Sequence, residues 1–155
     1  MAVVVGRKLT ALLEAQGDGQ SQHLADEFHL WKQGGIGPGD TFGKASFFAR
    51  PEAVVRVGLS KVHLETPAVE DRWTYMLEVE QVKDRDAYTS DKILVYAQLG
   101  DVSKQPFLLL AILEPGHSFM KQPVLVKGLA VAYETERSDY CKTLADPSWV
   151  KAGFD

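Results

Sequence analysis

The sequence predicts an α+β fold: an antiparallel sheet with N-terminal helices on one face and a C-terminal helix. Three observations predict it. Residues 92–99 (KILVYAQL) and 107–113 (FLLLAIL) are β-forming runs separated by a Gly100-Asp101 turn and a polar stretch to Gln105, the pattern of an antiparallel hairpin. The second run is apolar throughout, as expected of a central strand covered on both faces. Upstream, Leu24, Phe28 and Trp31 fall at i, i+4 and i+7, one face of an amphipathic helix. Downstream, Pro123 opens a final helix with Leu125, Leu129, Ala132 and Tyr133 on one side, Pro being suited to the first helical turn.

The remaining elements follow in order. Residues 2–13 mix Val, Leu and Thr with few breakers and predict a strand. Gly17-Asp18-Gly19 is a turn signal, and Ser21 is placed as the N-cap of the Leu24–Phe28–Trp31 helix. Gly34-Gly35 ends that helix, and Gly37-Pro38-Gly39 continues a loop. Residues 54–65 are β-rich, with Val62 and Leu64 on one face and Lys61, His63 and Glu65 on the outer one. Thr66-Pro67 ends the run. Residues 73–82 fit a strand or a helix equally well, and residues 83–91 form a polar loop. Pro115-Gly116 closes the hairpin, and Gly128 weakens the last helix somewhat. Residues 1–137 are expected to form a single domain. Residues 138–155 follow as a C-terminal tail, either loose or pinned by Trp149 and Phe154.

Composition narrows the function classes. The 155 residues suit one domain, which at this size buries roughly two-thirds of the unfolded surface. One cysteine, Cys141, rules out an internal disulfide and a Cys-based zinc cluster, which fits a cytoplasmic setting. The N-terminal apolar run is interrupted by Arg7 and Lys8, so neither a signal peptide nor a membrane span is expected. The net charge of −4 argues mildly against a protein that simply coats nucleic acid. Charge is nonetheless uneven: no acid lies between Glu114 and Glu134, while His117, Lys121 and Lys127 do. That segment is where an anion would dock; a solvated face of ordinary lysines is the competing reading.

No Walker loop, Rossmann glycine pattern, HExxH, nucleophile elbow or EF-hand loop is present. What remains is polar residues at strand ends. Asp91 and Lys92 lead into the hairpin and His117 follows it, so antiparallel pairing brings them to the same end of the sheet. His63 joins them from its own strand, with Lys121 nearby in sequence. Imidazole exchanges protons near neutral pH and lysine neutralises charge on a pentacoordinate phosphate, a set suited to phosphodiesters. RNA supplies its own nucleophile, the 2′-hydroxyl, and needs no metal. Each residue also has a structural reading: a packed or surface histidine, or an aspartate serving a turn.

The stretch TSDKILVYAQLGDVSKQPFLLLAILEPGH, from Thr89 to His117, resembles the C-terminal half of the YafO family of type II toxins. LADEFHLWKQGG (residues 24–35) is similar to that family's first helix and its glycine stop. Phe42-Gly43 is similar to its FG motif, and Val62-His63-Leu64 to a strand element. The resemblance extends over residues 8–137 as ordered blocks with insertions around 66–82.

The resemblance implies a RelE-like compact fold of the RelE/ParE superfamily. It also implies a ribosome-dependent mRNA endonuclease, an mRNA interferase, that inhibits translation without a cofactor. Its implied partners are a cognate antitoxin, the ribosome and mRNA, with no membrane. His117, Asp91 and His63 lie in matched blocks and are the catalytic candidates; Lys92 and, on their charge rather than on the resemblance, Arg85, Lys121 and Lys127 are the RNA-binding ones, and no metal ligand is expected. Two departures stand out: ribosome-dependent toxins are usually basic whereas this chain is acidic, and residues 138–155 extend past the family pattern. The alternative is a non-catalytic RNA- or protein-binding module on the same fold. A metal-dependent nuclease using His63, Asp91 and His117 as ligands is a weaker third reading.

Overall fold

A computed structural model describes residues 1–155. Strand β1 (Val3–Val5) is followed by helices α1 (Arg7–Gln16) and α2 (Gln20–Lys32), strand β2 (Phe42–Phe47), the short helix α3 (Glu52–Arg56) and strand β3 (Ser60–Leu64). Helix α4 (Pro67–Glu78) and a 3₁₀ turn (Arg85–Ala87) lead to the hairpin β4 (Ile93–Gln98) and β5 (Phe107–Leu113). Helices α5 (Gly116–Met120) and α6 (Pro123–Lys142) and strand β6 (Lys151–Ala152) complete the chain. The sheet order is β2-β3-β4-β5-β1-β6. The expected α+β fold is present, with one correction: the sheet is mixed. β1 pairs parallel to β5, while its other neighbour β6 and all remaining pairs are antiparallel.

Side-chain alternation gives the sheet two apolar faces. Val3, Val5, Val62, Leu64, Leu94, Tyr96 and Leu109 pack with Leu9 and Leu13 of α1 and Phe28 and Trp31 of α2. Val4, Ile93, Val95, Ala97, Leu108 and Leu113 face the other way, onto Val126, Leu129, Tyr133 and Tyr140 of α6. β4 and β5 are buried on both faces, as the apolar run predicts. A register shift opposite Val95/Tyr96 skips Leu110, so Leu110 and Ala111 both lie against the α6 core. Such a bulge breaks the alternation once and restores it afterwards. Val95 therefore faces Ala111 and Ile93 faces Leu113 at the top of the hairpin.

Several expectations need correction. Residues 2–13 are not one strand: β1 ends at Val5 and a helix starts at Arg7. Leu9 and Leu13, spaced i, i+4, are the buried face of that helix, a helical period hidden in a short apolar run. Residues 54–65 split at Gly58 (φ 75°) into α3 and β3. Residues 73–82, open between strand and helix, lie largely in α4, which buries Trp73. Ser21 does not cap α2, whose N-cap is Gly19; instead the Glu14 carboxylate accepts from Gly19 N at 3.0 Å and from Ser21 N and Oγ at 2.9 and 2.8 Å. On α6, Leu125 is exposed and Val126 takes the buried position.

The start of α1 has no local side-chain cap. Glu136 of α6, more than a hundred residues away, accepts from Arg7 N at 2.8 Å and Lys8 N at 3.1 Å. This satisfies two of the donors that a helix N-terminus leaves free. Residue 137 lies inside α6, and the chain beyond that helix returns to the body: Val3 pairs with Ala152, and Trp149 is buried against Tyr140. No helix is long and apolar enough to cross a membrane.

Candidate active site

The hairpin brings its two flanks together as its pairing requires. Gly116 N donates to Asp91 O at 2.7 Å, just beyond the Ile93–Leu113 pair. A Cβ on Gly116 would meet the tip of the Ile93 side chain at 2.8 Å and Asp91 O at 3.2 Å, so the glycine eases this close approach. His117 follows. Its backbone N–H donates to Asp91 Oδ1 at 2.8 Å, and its ring Nδ1 lies 2.9 Å from the same oxygen. One carboxylate oxygen therefore holds both the start of α5 and the imidazole. The His117 amide, its ring and the Gly116 amide together keep the Asp91 carboxyl below its usual range, against a smaller opposing effect of desolvation. The His117 side chain is 61% exposed, leaving the ring edge open to solvent.

His63 is the third member. Its ring centre lies 5.8 Å from that of His117, tilted by 48°. It was placed on the outer face of its strand; it does lie opposite Val62, but that face is covered and His63 is buried at 8% exposure. Nδ1 is 2.8 Å from Ser90 N and 2.7 Å from Ser90 O. The amide can only donate and the carbonyl only accept, so Nδ1 accepts from the amide when bare and donates to the carbonyl when it carries a proton. Burial pushes the imidazole's pKa down, the Ser90 carbonyl offsets part of this, and the nearby His117, Lys44 and Lys61 charges push it further down.

Ser90 is the residue that sequence reasoning missed. Its Oγ donates to Leu64 O at 2.5 Å, tying the loop before β4 to the end of β3. The preceding loop is held from outside. Trp73 Nε1 and Arg72 of α4 both donate to Thr89 O, at 3.1 and 2.7 Å. Lys44 N of β2 donates to Tyr88 O at 2.8 Å. A Cβ on Gly43 would lie 2.1 Å from that carbonyl, which gives the Phe42-Gly43 pair its physical meaning: the loop carrying Ser90 and Asp91 crosses the edge strand where there is no side chain. The available signal for Ser90 was a small polar residue beside the hairpin entry.

The cationic candidates do not all join this centre. Lys92 follows Asp91 but points to the opposite face, into a cleft with Leu12 and Gln16 of α1. Arg85 is exposed and acts electrostatically on Lys32 and Tyr96, on the α2 face. Lys121 and Lys127 are exposed, Lys121 directly after α5 and Lys127 on α6. No group of three or more His, Cys, Asp or Glu side chains is arranged to hold a metal ion.

A family model described as toxin YafO of a type II toxin–antitoxin system matches residues 29–135. The chain belongs to the YafO toxin family. The matched region takes in the sheet from β2 to β5 and all three residues of the His63–Asp91–His117 cluster, while β1, α1 and β6 fall outside it. No curated protein and no solved structure matches. Membership makes the chain a toxin of a toxin–antitoxin system and implies an antitoxin partner.

Proposed function

We propose that this YafO-family toxin is an mRNA interferase that cleaves mRNA on the ribosome by metal-independent acid–base chemistry. The observation that carries the reading is the exposed His117 ring, pinned through Nδ1 by Asp91 and set 5.8 Å from the His63 ring. In such a cleavage the 2′-oxygen attacks the adjacent phosphorus, a 2′,3′-cyclic phosphate forms and the 5′-oxygen leaves. One group takes the 2′-hydroxyl proton and another protonates the leaving oxygen. With Nδ1 engaged, His117 offers Nε2 to the substrate as general acid or base. Asp91, ionised at neutral pH, holds the ring in that orientation. His63 supports it from beneath, as the second imidazole of the pair. Lys121 is the nearest cationic candidate in sequence for the phosphate, with Lys127 further along. The cytoplasm, the ribosome and mRNA complete the assignment, and the antitoxin would neutralise it.

Primer extension on a defined mRNA, with and without ribosomes, tests this. Discrete cuts only with ribosomes, lost in His117→Ala, are the expected result. Cuts without ribosomes would make the protein a free nuclease. The net charge of −4 favours a second reading, a module that binds without cleaving; folded protein that sediments with ribosomes and leaves mRNA intact would establish that one instead.

A further inference from the structure

On the opposite face of the sheet from His63, a second cleft of about 210 Å³ is lined by Lys32, Phe47, Ser60, Tyr96 and Phe107, among others. Register explains the grouping: Phe47 pairs with Ser60 and Ser60 with Tyr96, so the three form a row across β2, β3 and β4. Lys32, at the end of α2, reaches in from above. Its ammonium lies 4.4 Å from the Trp31 ring centre, 5.0 Å from those of Tyr96 and Phe107, and 5.7 Å from that of Phe28. Its one polar contact is a long one, 3.4 Å to Tyr96 Oη. No carboxylate pairs with it: none of the ion pairs in the molecule includes Lys32. An ammonium has three hydrogens to donate, so most of its hydrogen-bonding capacity is unused.

Two further features mark the cleft as a site. Burial pushes the Lys32 pKa down, and the more distant charge of Arg85, which does not line the cleft, adds to this. A half-buried cation with no acid paired to it is a poor arrangement for stability alone. At the rim, Phe47 is 78% exposed, an aromatic ring presented to solvent from an edge strand. Cations in a groove beside an open aromatic ring are the combination by which proteins hold single-stranded nucleic acid: phosphate on the cations, base on the ring.

We propose that this cleft is an RNA site separate from the His117 centre, in which Lys32 holds a phosphate and Phe47 stacks a base. An acidic peptide would answer the cation equally well, but the flat exposed ring beside it favours a nucleotide. The choice of ligand rests on the RNA reading of the toxin; the site itself does not depend on His117 being catalytic.

The test is anisotropy of a fluorescein-labelled octauridylate without ribosomes, on a His117→Ala background so that no cleavage intervenes. The background protein is expected to bind saturably. Adding Lys32→Met should weaken binding about tenfold and flatten the salt dependence by about 0.7 in slope, the loss of one single-strand phosphate contact. Adding Phe47→Ala should weaken it fivefold or more, by lost stacking. Phe47 is exposed, so its variant tests the site even if Lys32→Met folds poorly. Absence of binding by the background protein, unchanged affinity in Phe47→Ala, or heptaglutamate competing as well as unlabelled RNA would each overturn the proposal. Ribosome-dependent cleavage is scored separately, so failure of the nuclease assignment leaves this result standing.

Discussion

The Arg7 corner and the Asp91 end of the sheet are both polar clusters made by distant parts of the chain, and they differ in what is left over. At the corner, Arg7 faces Asp139 Oδ2 at 2.8 Å as an ionic contact, bonds Asp146 Oδ2 at 2.9 Å and Ser148 Oγ at 3.0 Å, and lies 4.1 Å from the Trp149 ring centre. Glu136 closes the first turn of α1 beside it. Only Arg7 Nε lacks a hydrogen-bond partner there, facing Asp139 as an ion pair alone, and the result is to fasten β1, α1 and the C-terminal segment together. At the Asp91 end one oxygen holds an amide and an imidazole, and the imidazole's other nitrogen is engaged by no protein group. A satisfied network reports on stability, whereas a fixed but open side chain can report on chemistry.

Substitutions should therefore separate the two regions. The largest effect is expected from His117→Ala, which on the proposed mechanism lowers cleavage by about 10²–10⁴-fold, read by primer extension, with the urea midpoint unchanged. Trp149→Ala should do the reverse. Truncating this buried ring costs about 3–5 kcal/mol, read by urea denaturation, and per-molecule cleavage by the folded fraction is retained. Glu136→Ala falls between: it leaves two amides of α1 without their acceptor and costs about 1–3 kcal/mol. If His117→Ala unfolded the protein, or Trp149→Ala cost nothing, the division between the regions would fail.

Asp91→Asn sharpens the contrast inside one residue. The amide oxygen can still accept from His117 N–H, so the turn into α5 survives, but the negative charge beside Nδ1 is gone. Cleavage should fall about tenfold with little change in the urea midpoint. Asp91→Ala should lose the cleavage and also lower the urea midpoint, because the turn loses its acceptor. Equal cleavage by Asp91→Asn and the parent would leave Asp91 a turn residue alone.

The same contrast explains what was legible in the sequence. The hairpin, the α2 face and the gathering of Asp91 with His117 follow from apolar runs and antiparallel pairing, which are local rules with one long-range consequence. The Arg7–Glu136 link was not legible, because nothing local to Gly6 or Glu136 announces a cap supplied from another helix. The short strand β1 was merged with α1 because three valines precede a helix whose buried face has only two members, Leu9 and Leu13. His63 was assigned to a solvent face because alternation tells which residues share a side, not whether that side is covered. Lys92 was grouped with His117 by the pairing of the hairpin and Arg85 by its charge, but alternation at β4 sends Lys92 to the other face, and Arg85 acts on Lys32 and Tyr96 there. Lys32 drew no notice, since a lysine ending a helix is ordinary until four rings from α2, β4 and β5 close around it.

The smallest expected effect concerns His63, and pH isolates it. The folded chain keeps the buried imidazole's pKa below the unfolded value of about 6.5. Between those two values the unfolded chain binds a proton that the folded chain refuses, so stability rises with pH across that interval and is flat above it. Asp91 and Asp146 act in another window. Ser148 and Arg7 hold Asp146 down at about 2, and Asp91 is also depressed, so both contribute stability above the ordinary aspartate range and lose it only as pH falls further. Urea midpoints at pH 7.5 and 5.0 should therefore diverge in the parent and diverge less in His63→Gln, whose amide does not titrate. Parallel losses in the two proteins would mean that His63 takes up its proton in the folded state without penalty. It would then stand with the exposed His117 as a second open imidazole rather than as buried support beneath it.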